Sequence, residues 1–220
     1  MGDAVGSNPG VFPFLVSAVL IGFLSFAIVS MTSFAKISIV LTILRNAMGM
    51  QQSPPNIILY SVALIITVYI MTPTIGGIYT GMERRDFQLN NFEEYTYAFQ
   101  MARDIISDFL LKHTDPRHMT LLHETASKLW SPDTVRQVEE SDFIILVPAF
   151  SLSEMTAAFR IGFLLYIPFL AVDLAVTCII LAMGVSQVQP TTIATPLKLF
   201  LFVSIDGWSK IMNGLILSYI

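Results

Sequence analysis

Ser151-Leu-Ser-Glu-Met-Thr-Ala-Ala-Phe-Arg-Ile-Gly-Phe-Leu-Leu-Tyr-Ile-Pro-Phe-Leu-Ala-Val-Asp-Leu-Ala-Val-Thr-Cys-Ile-Ile-Leu-Ala182 decides the class of this chain. As a helix it would run ~48 Å, longer than the ~30 Å hydrocarbon core of a bilayer. Three charges, Glu154, Arg160 and Asp173, interrupt an otherwise apolar run. Ser151 or Ser153 reads as its cap, Glu154 as an acid favoured in the first turn by the helix dipole, and Pro168 as a bend. Cys178 reads as a small core residue with no partner for an intrachain disulfide.

The rest of the chain has the same character. Three further uncharged or nearly uncharged segments cover residues 11–35, 51–82 and about 196–218. Asn56 reads as the N-cap of the second helix, and Pro73, Gly76 and Gly77 as its kink or end. Residues 83–142 hold 19 of the 28 Asp, Glu, Lys and Arg residues, 12 acids and seven bases. At 13% charged residues, against roughly 25% in a soluble domain, the chain is an all-α integral membrane protein. It has two kinked hydrophobic hairpins and one helical insert outside the cytoplasm. The expected units are 1–82, 83–150 and 151–220. The first hairpin loop, with Lys36, Arg45, Gln51, Gln52, Pro54 and Pro55, carries bases and no acid and is placed in the cytoplasm, with both termini on the other side. The start of the chain lacks the basic n-region of a secretory signal, so residues 11–35 read as a retained helix. The net charge of −4 argues against nucleic acid as a partner.

Within the insert, Phe92, Tyr95, Phe99, Ala102, Ile106 and Phe109 form one apolar stripe, with Asn90 and Glu93 resembling a capping box. Met119, Leu122, Ala126 and Leu129 form a second. Asp115-Pro116 and Ser131-Pro132 are helix starts, a capping side chain followed by proline at the first helical position. His113, His118 and His123 are each turned ~140° from the last on a helix, whereas zinc-binding helices use i, i+4 or i, i+3. They read as solvated surface, with no metal and no cofactor. No nucleophile-and-base set and no phosphate loop is present, so no catalytic residue is assigned.

The charges left in the apolar segments carry the signal. Glu154, Arg160, Asp173, Lys198, Asp206 and Lys210 would each cost about 2.5–3.5 kcal/mol facing lipid at the bilayer centre. Together that is ~15–20 kcal/mol, more than the ~5–15 kcal/mol of a typical fold. They must pair, sit near helix ends or line a wet path. Asp206 and Lys210, at i, i+4, are expected to pair within one helix. Pairing between subunits is the alternative. Gly76-Gly77, Gly162, Gly184 and Gly207, with Pro168, Pro190 and Pro196, predict bent helices that approach closely.

Three stretches resemble a known family: Thr32–Asn56, Ala158–Leu174 and Pro196–Trp208, the last reading Pro-Leu-Lys-Leu-Phe-Leu-Phe-Val-Ser-Ile-Asp-Gly-Trp. They are similar to the FliP/SctR (YscR-type) family, a core membrane component of the bacterial type III export apparatus, in order and spacing. The resemblance implies a homopentamer in the bacterial inner membrane, with the insert on the periplasmic side and much of the assembly rising above the bilayer plane. Its implied partners are a related export-gate subunit, a small two-helix subunit, a large export-gate protein on the cytoplasmic side, membrane lipid and unfolded protein substrates. It places a pore gasket at Met183, Gly184, Val185, Ser186, Gln187 and Val188. The family's loop there is methionine-rich; here Met183 alone keeps the thioether, and the rest make a stiffer, more polar ring. An ordinary hairpin turn is the alternative. Arg160, Asp173, Lys198, Asp206 and Lys210 are assigned to subunit packing. Length and the start of the chain resemble the injectisome branch more than the flagellar one. Two readings from other classes are a small-solute or ion transporter with Asp173 and Arg160 as a midplane site, and a membrane-anchored scaffold working through its insert.

Overall fold

The computed structural model describes residues 25–50, 53–83, 92–184 and 187–220, with positions 18 and 22; at 92–95 it describes backbone only. The described residues form helices α1 (Ser25–Met31), α2 (Phe34–Ala47), α3 (Asn56–Glu83), α4 (Phe92–His113), α5 (Pro116–Leu129), α6 (Pro132–Val135), α7 (Phe143–Ala182), α8 (Pro190–Ser204) and α9 (Gly207–Leu217), and no strand. The all-α expectation holds. α3 and α7 are long and apolar enough to cross a membrane. α1 with α2, and α8 with α9, qualify as bent pairs, at 75° and 65°, making up to four spans by length and composition.

α2 stands where a loop was expected. Ile37, Val40, Leu41, Leu44 and Met48 recur at helical spacing and are fully buried, packing α2 between α3 and α7. That burial carries Lys36 and Arg45 into the interior, so neither is a loop residue. α2 ends in a Schellman turn: Gly49 takes φ +81, its N–H bonds Asn46 O, and the Met50 N–H bonds Arg45 O. Arg45 then donates to Pro54 O (3.1 Å) and Asn56 Oδ1 (2.6 Å), tying the connection to the start of α3. Asn56 is thus the first residue of α3, its side chain engaged by Arg45. Gln51 and Gln52 lie outside the described residues.

α3 continues through Pro73, Gly76 and Gly77 to Glu83. α7 likewise starts eight residues before the expected 151 and runs 40 residues through Pro148 and Pro168. The missing proline N–H bonds are tolerated because Ile145, Leu146, Ala149 and Phe150 are buried on the added turns. Asp142, not Ser151 or Ser153, stands at the N-cap position, Glu154 is well inside the helix, and the expected boundary at 150 falls within α7. Gly162 brings α7 against α2: a Cβ there would sit 2.5 Å from Ile43 Cδ1. The expected single helix over 196–218 is instead α8 and α9. Asp206, at φ 53, makes the corner, and the Phe202 ring fills the space beside Gly207. Cys178, expected in the core, is exposed.

In the insert both proline-marked starts form as expected. Asp115 caps α5 by accepting from Arg117 N–H, and Ser131 caps α6 by accepting from Thr134 N–H. α4 is packed at its C-terminal end, where Ile106 and Phe109 of the stripe, with Leu110, meet Met71, Leu146, Phe150 and Tyr219. Phe99 is exposed, as is Leu129 in the second stripe. Asn90 and the side chains of Phe92, Glu93 and Tyr95 lie outside the described residues.

Candidate functional site

α7 is fastened to its neighbours by two ion pairs, and between α7 and α8 lies an uncovered turn. The first pair is Lys36 Nζ with Glu154 Oε1 at 3.0 Å, the side chains 5% and 2% exposed. The Tyr219 hydroxyl donates to the other carboxylate oxygen. Lys36 Nζ also lies 3.6 Å from the Tyr219 ring centroid, a cation–π contact. α2, α7 and the segment after α9 thus meet at one closed triad. Isolated, either charge would be intolerable there; paired and hydrogen-bonded, each compensates the other's lost hydration.

The histidines expected at the surface are half-buried, and His113 and His118 lie beside this triad. His113 has Nδ1 2.7 Å from Phe109 O and Nε2 3.2 Å from Tyr219 O. His118 Nδ1 lies 2.7 Å from Ser153 Oγ, which donates to Ala149 O and accepts from the Asp115 N–H. His123 lies 3.3 Å from Val138 O. Half-buried rings need hydrogen-bond partners, and these three find theirs mostly on the segments packed against them, His113 using Phe109 O on its own helix as well. No metal-binding cluster occurs among the described residues.

The second pair is Lys198 Nζ with Asp173 Oδ2 at 2.6 Å. Lys198 also donates to Ala47 O at 3.0 Å, capping the C-terminal carbonyls of α2. Three helices again meet at one ammonium group. Of the remaining charges assigned to subunit packing, Arg160, Asp206 and Lys210 are exposed, and none makes an ion pair among the described residues. The expected Asp206–Lys210 pair does not form, because the chain turns at Asp206 and its Oδ1 accepts from Ser209 Oγ. Arg160 and Asp173 are ~20 Å apart along α7, and Asp173 is already committed to Lys198.

The turn after α7 is sharp. Gly184 takes φ +69 with its N–H on Leu181 O. Met183 is 61% and Val188 39% exposed, Gln187 is exposed, and nothing approaches within 4 Å of a Cβ built on Gly184. Val185 and Ser186 lie outside the described residues. Sequence reasoning missed the Lys36–Glu154–Tyr219 triad. The available signal was Lys36 within a stretch of periodic apolar residues, which marks a helix rather than a loop.

Comparison with known proteins identifies the family. The FliP family model matches residues 17–215. The probable translocation protein y4yL of Sinorhizobium fredii is 41% identical over 212 residues, 96% of each chain. The hypersensitivity response secretion protein HrcR of Ralstonia nicotianae is 42% identical over 210 residues, 93% of this chain and 95% of its own. The Yop proteins translocation protein R of Yersinia pestis is 38% identical over 188 residues, 86% of this chain and 87% of its own. The chain belongs to the FliP family, the family of type III export membrane components that its three sequence motifs resemble.

Proposed function

We propose that the chain is a pore-forming structural subunit of a type III protein export gate in the bacterial inner membrane. It assembles as a homopentamer completed by the related export-gate subunit and the small two-helix subunit, with the insert on the periplasmic side and the large export-gate protein on the cytoplasmic side. It passes unfolded proteins and carries no catalysis of its own. Residues 1–82 and 151–220 act as the two hydrophobic hairpins, and 83–150 as the insert that packs the ring's shoulder.

The observation that carries this reading is the contrast between interior and exterior. Inside, Lys36 pairs with Glu154 and Lys198 with Asp173, and Arg45 is hydrogen-bonded, while the apolar stretches of α3 and α7 are only 28% and 17% buried. Rows such as Ile65, Val68 and Tyr69 on α3, and Phe163, Leu164 and Ile167 on α7, stand open. So much uncovered apolar surface belongs against lipid or other subunits. The 183–188 turn, at the end of the hairpin that Asp173–Lys198 ties together, is proposed as the gate, and Arg160, Asp206 and Lys210 as contacts between subunits. The secretion and translocation names of the relatives support the injectisome branch.

The test is photocrosslinking or cysteine crosslinking from positions 183 and 188, in a Cys178→Ser background, within the assembled complex carrying a stalled substrate. Crosslinks to substrate are expected from both positions. Crosslinks to lipid alone would remove the gate from this turn.

A further inference from the structure

His113, at the end of α4, has each ring nitrogen against a carbonyl oxygen. Nδ1 lies 2.7 Å from Phe109 O, one turn back on its own helix, and Nε2 lies 3.2 Å from Tyr219 O, on the segment after α9. A carbonyl accepts and never donates, so both contacts are hydrogen bonds only when both nitrogens carry protons. That species is the imidazolium. A neutral ring has one N–H. With that proton kept by the shorter contact inside α4, the Nε2 lone pair faces the lone pairs of Tyr219 O. No other donor reaches this carbonyl among the described residues.

The ring separates two open cavities of about 760 and 370 Å³ and lines both, so protons reach it from water. Three acids line the same cavities: Asp108 on α4, Asp115 at the start of α5 and Glu154 on α7. Three cations face them: Lys36 on α2, Lys112 on α4 and Arg160 on α7. Glu154 is closed against Lys36, and Asp115 against Arg117. Asp108, Lys112 and Arg160 are exposed, where water and salt screen them. The remaining titratable groups are Tyr69 on α3, His118 on α5, whose Nδ1 is spent on Ser153 Oγ, and Tyr219 itself. The Phe109 and Tyr219 rings stand 4.6 and 5.2 Å from the imidazole, within range of cation–π attraction. The two carbonyls therefore decide what the protonation of this ring does. What they hold is Tyr219, whose hydroxyl donates to Glu154 and whose ring lies against Lys36.

We propose that His113 is a pH-sensitive latch on the segment after α9. Protonated, it fastens residues 218–220 to the end of α4 and seats Tyr219 in the triad; neutral, it releases that segment from α4. The closed segment prefers the protonated ring. Its hold is therefore complete in acid and is lost as pH rises through the range in which histidine changes charge, about 5 to 8. The latch requires only this fold and stands apart from the export-gate reading.

The full chain in micelles is followed by hydrogen exchange at about pH 5.5 and about pH 8, as protection corrected for the intrinsic pH dependence of exchange. The Tyr219 and Ile220 amides, bonded to Ile216 O and Leu217 O, report the segment. Their protection is expected to fall roughly ten- to hundredfold between the two conditions, the worth of one hydrogen bond to a charged group, while α4 and α5 keep theirs. His113→Gln, which cannot titrate, is expected to give the same protection at both; His118→Gln keeps the wild-type response. Nitrogen-15 spectra of labelled histidines, assigned by elimination in His118→Gln and His123→Gln, are expected to show both His113 nitrogens protonated in acid and one in base, with the midpoint of the segment's protection. Equal protection in wild type at both conditions overturns the proposal, as does a response that survives His113→Gln or disappears in His118→Gln. Protection lost evenly across α4 and α5 would mark general unfolding and overturn it too. Should His113→Gln fail to fold, the wild-type ring spectra decide: a His113 ring that is neutral in acid, or that titrates with no change at residues 218–220, refutes the latch.

Discussion

Replacing Lys36 with Met is the most informative single perturbation of this fold. Methionine keeps nearly the volume of the lysine stem, so no large cavity opens. What disappears is the ammonium 3.0 Å from Glu154 and over the Tyr219 ring. Glu154 keeps the Tyr219 hydroxyl but loses its counter-charge while still 2% exposed. Removing one partner of such a buried pair costs about 3–5 kcal/mol, and Glu154→Gln, which strands Lys36, costs a similar amount. If the two effects were independent, the double variant would lose about 6–10 kcal/mol, enough to unfold most proteins of ~5–15 kcal/mol stability. If the pair is one unit, Lys36→Met with Glu154→Gln leaves two neutral side chains and loses only ~1–2 kcal/mol, because the stranded charge is gone. Unfolding of the purified chain by urea or SDS titration in micelles, followed by far-UV circular dichroism, gives the three stabilities. The double variant is expected to be more stable than either single one. Strict additivity would refute the argument that each charge is tolerated through the other.

Three further outcomes follow from the geometry. Asp173→Asn weakens a pair whose carboxylate is a third exposed, so it costs less, about 1–2 kcal/mol in the same titration; Lys198→Met on top of it adds only the loss of the hydrogen bond to Ala47 O, about 1 kcal/mol, since the ion pair is already gone. Gly162→Ala gains ~1 kcal/mol of helix propensity but drives a Cβ to 2.5–3.2 Å from three carbons of β-branched Ile43, so a net loss of about 1–2 kcal/mol is expected, relieved by Ile43→Ala. Asp115, which caps α5, is lowered to about 2 chiefly by the Arg117 side-chain hydrogen bond. With the folded value below the unfolded ~3.9, its contribution is fully present above about pH 4 and fades as pH falls towards 2. Hydrogen exchange in the first turn of α5 should follow that window, and Asp115→Asn should flatten it.

What could be read from the sequence was whatever is local. Asp115-Pro116 and Ser131-Pro132 announce their helices because a capping side chain and a fixed φ act within four residues. The apolar spans follow from composition. The α2 helix was missed because Lys36 and Arg45 were weighed as charges in a loop, while the stripe Ile37, Val40, Leu41, Leu44 was not weighed against them. The start of α7 was placed late because Ser151 and Ser153 read as caps; burial of Leu146 and Phe150 carries the helix back through Pro148 and outweighs one lost hydrogen bond. Glu154 was recognised as costly, but its partner lies 118 positions earlier and its second donor, Tyr219, 65 positions later. Nothing in a single chain's spacing marks such distant partners. The corner at Asp206 depends on Phe202 packing over Gly207, a tertiary contact that i, i+4 reasoning cannot see.

The two ion pairs on α7, at Glu154 and Asp173, are 19 residues apart, ~28 Å along the axis. Both draw on α2, one through Lys36 and the other through the carbonyl of Ala47. Sliding or screwing α7 past α2 by one residue turns its side chains by ~100° and breaks both contacts in the same step. The helices therefore behave as a toothed rack engaged at two places: partial disengagement has no low-energy intermediate. Any change of shape in the bundle must carry α2, α7 and the root of α8 as one piece. Strain is then confined to the Met183–Gly184 end of the hairpin and to the Asp206 corner, where the backbone already bends and no buried charge resists.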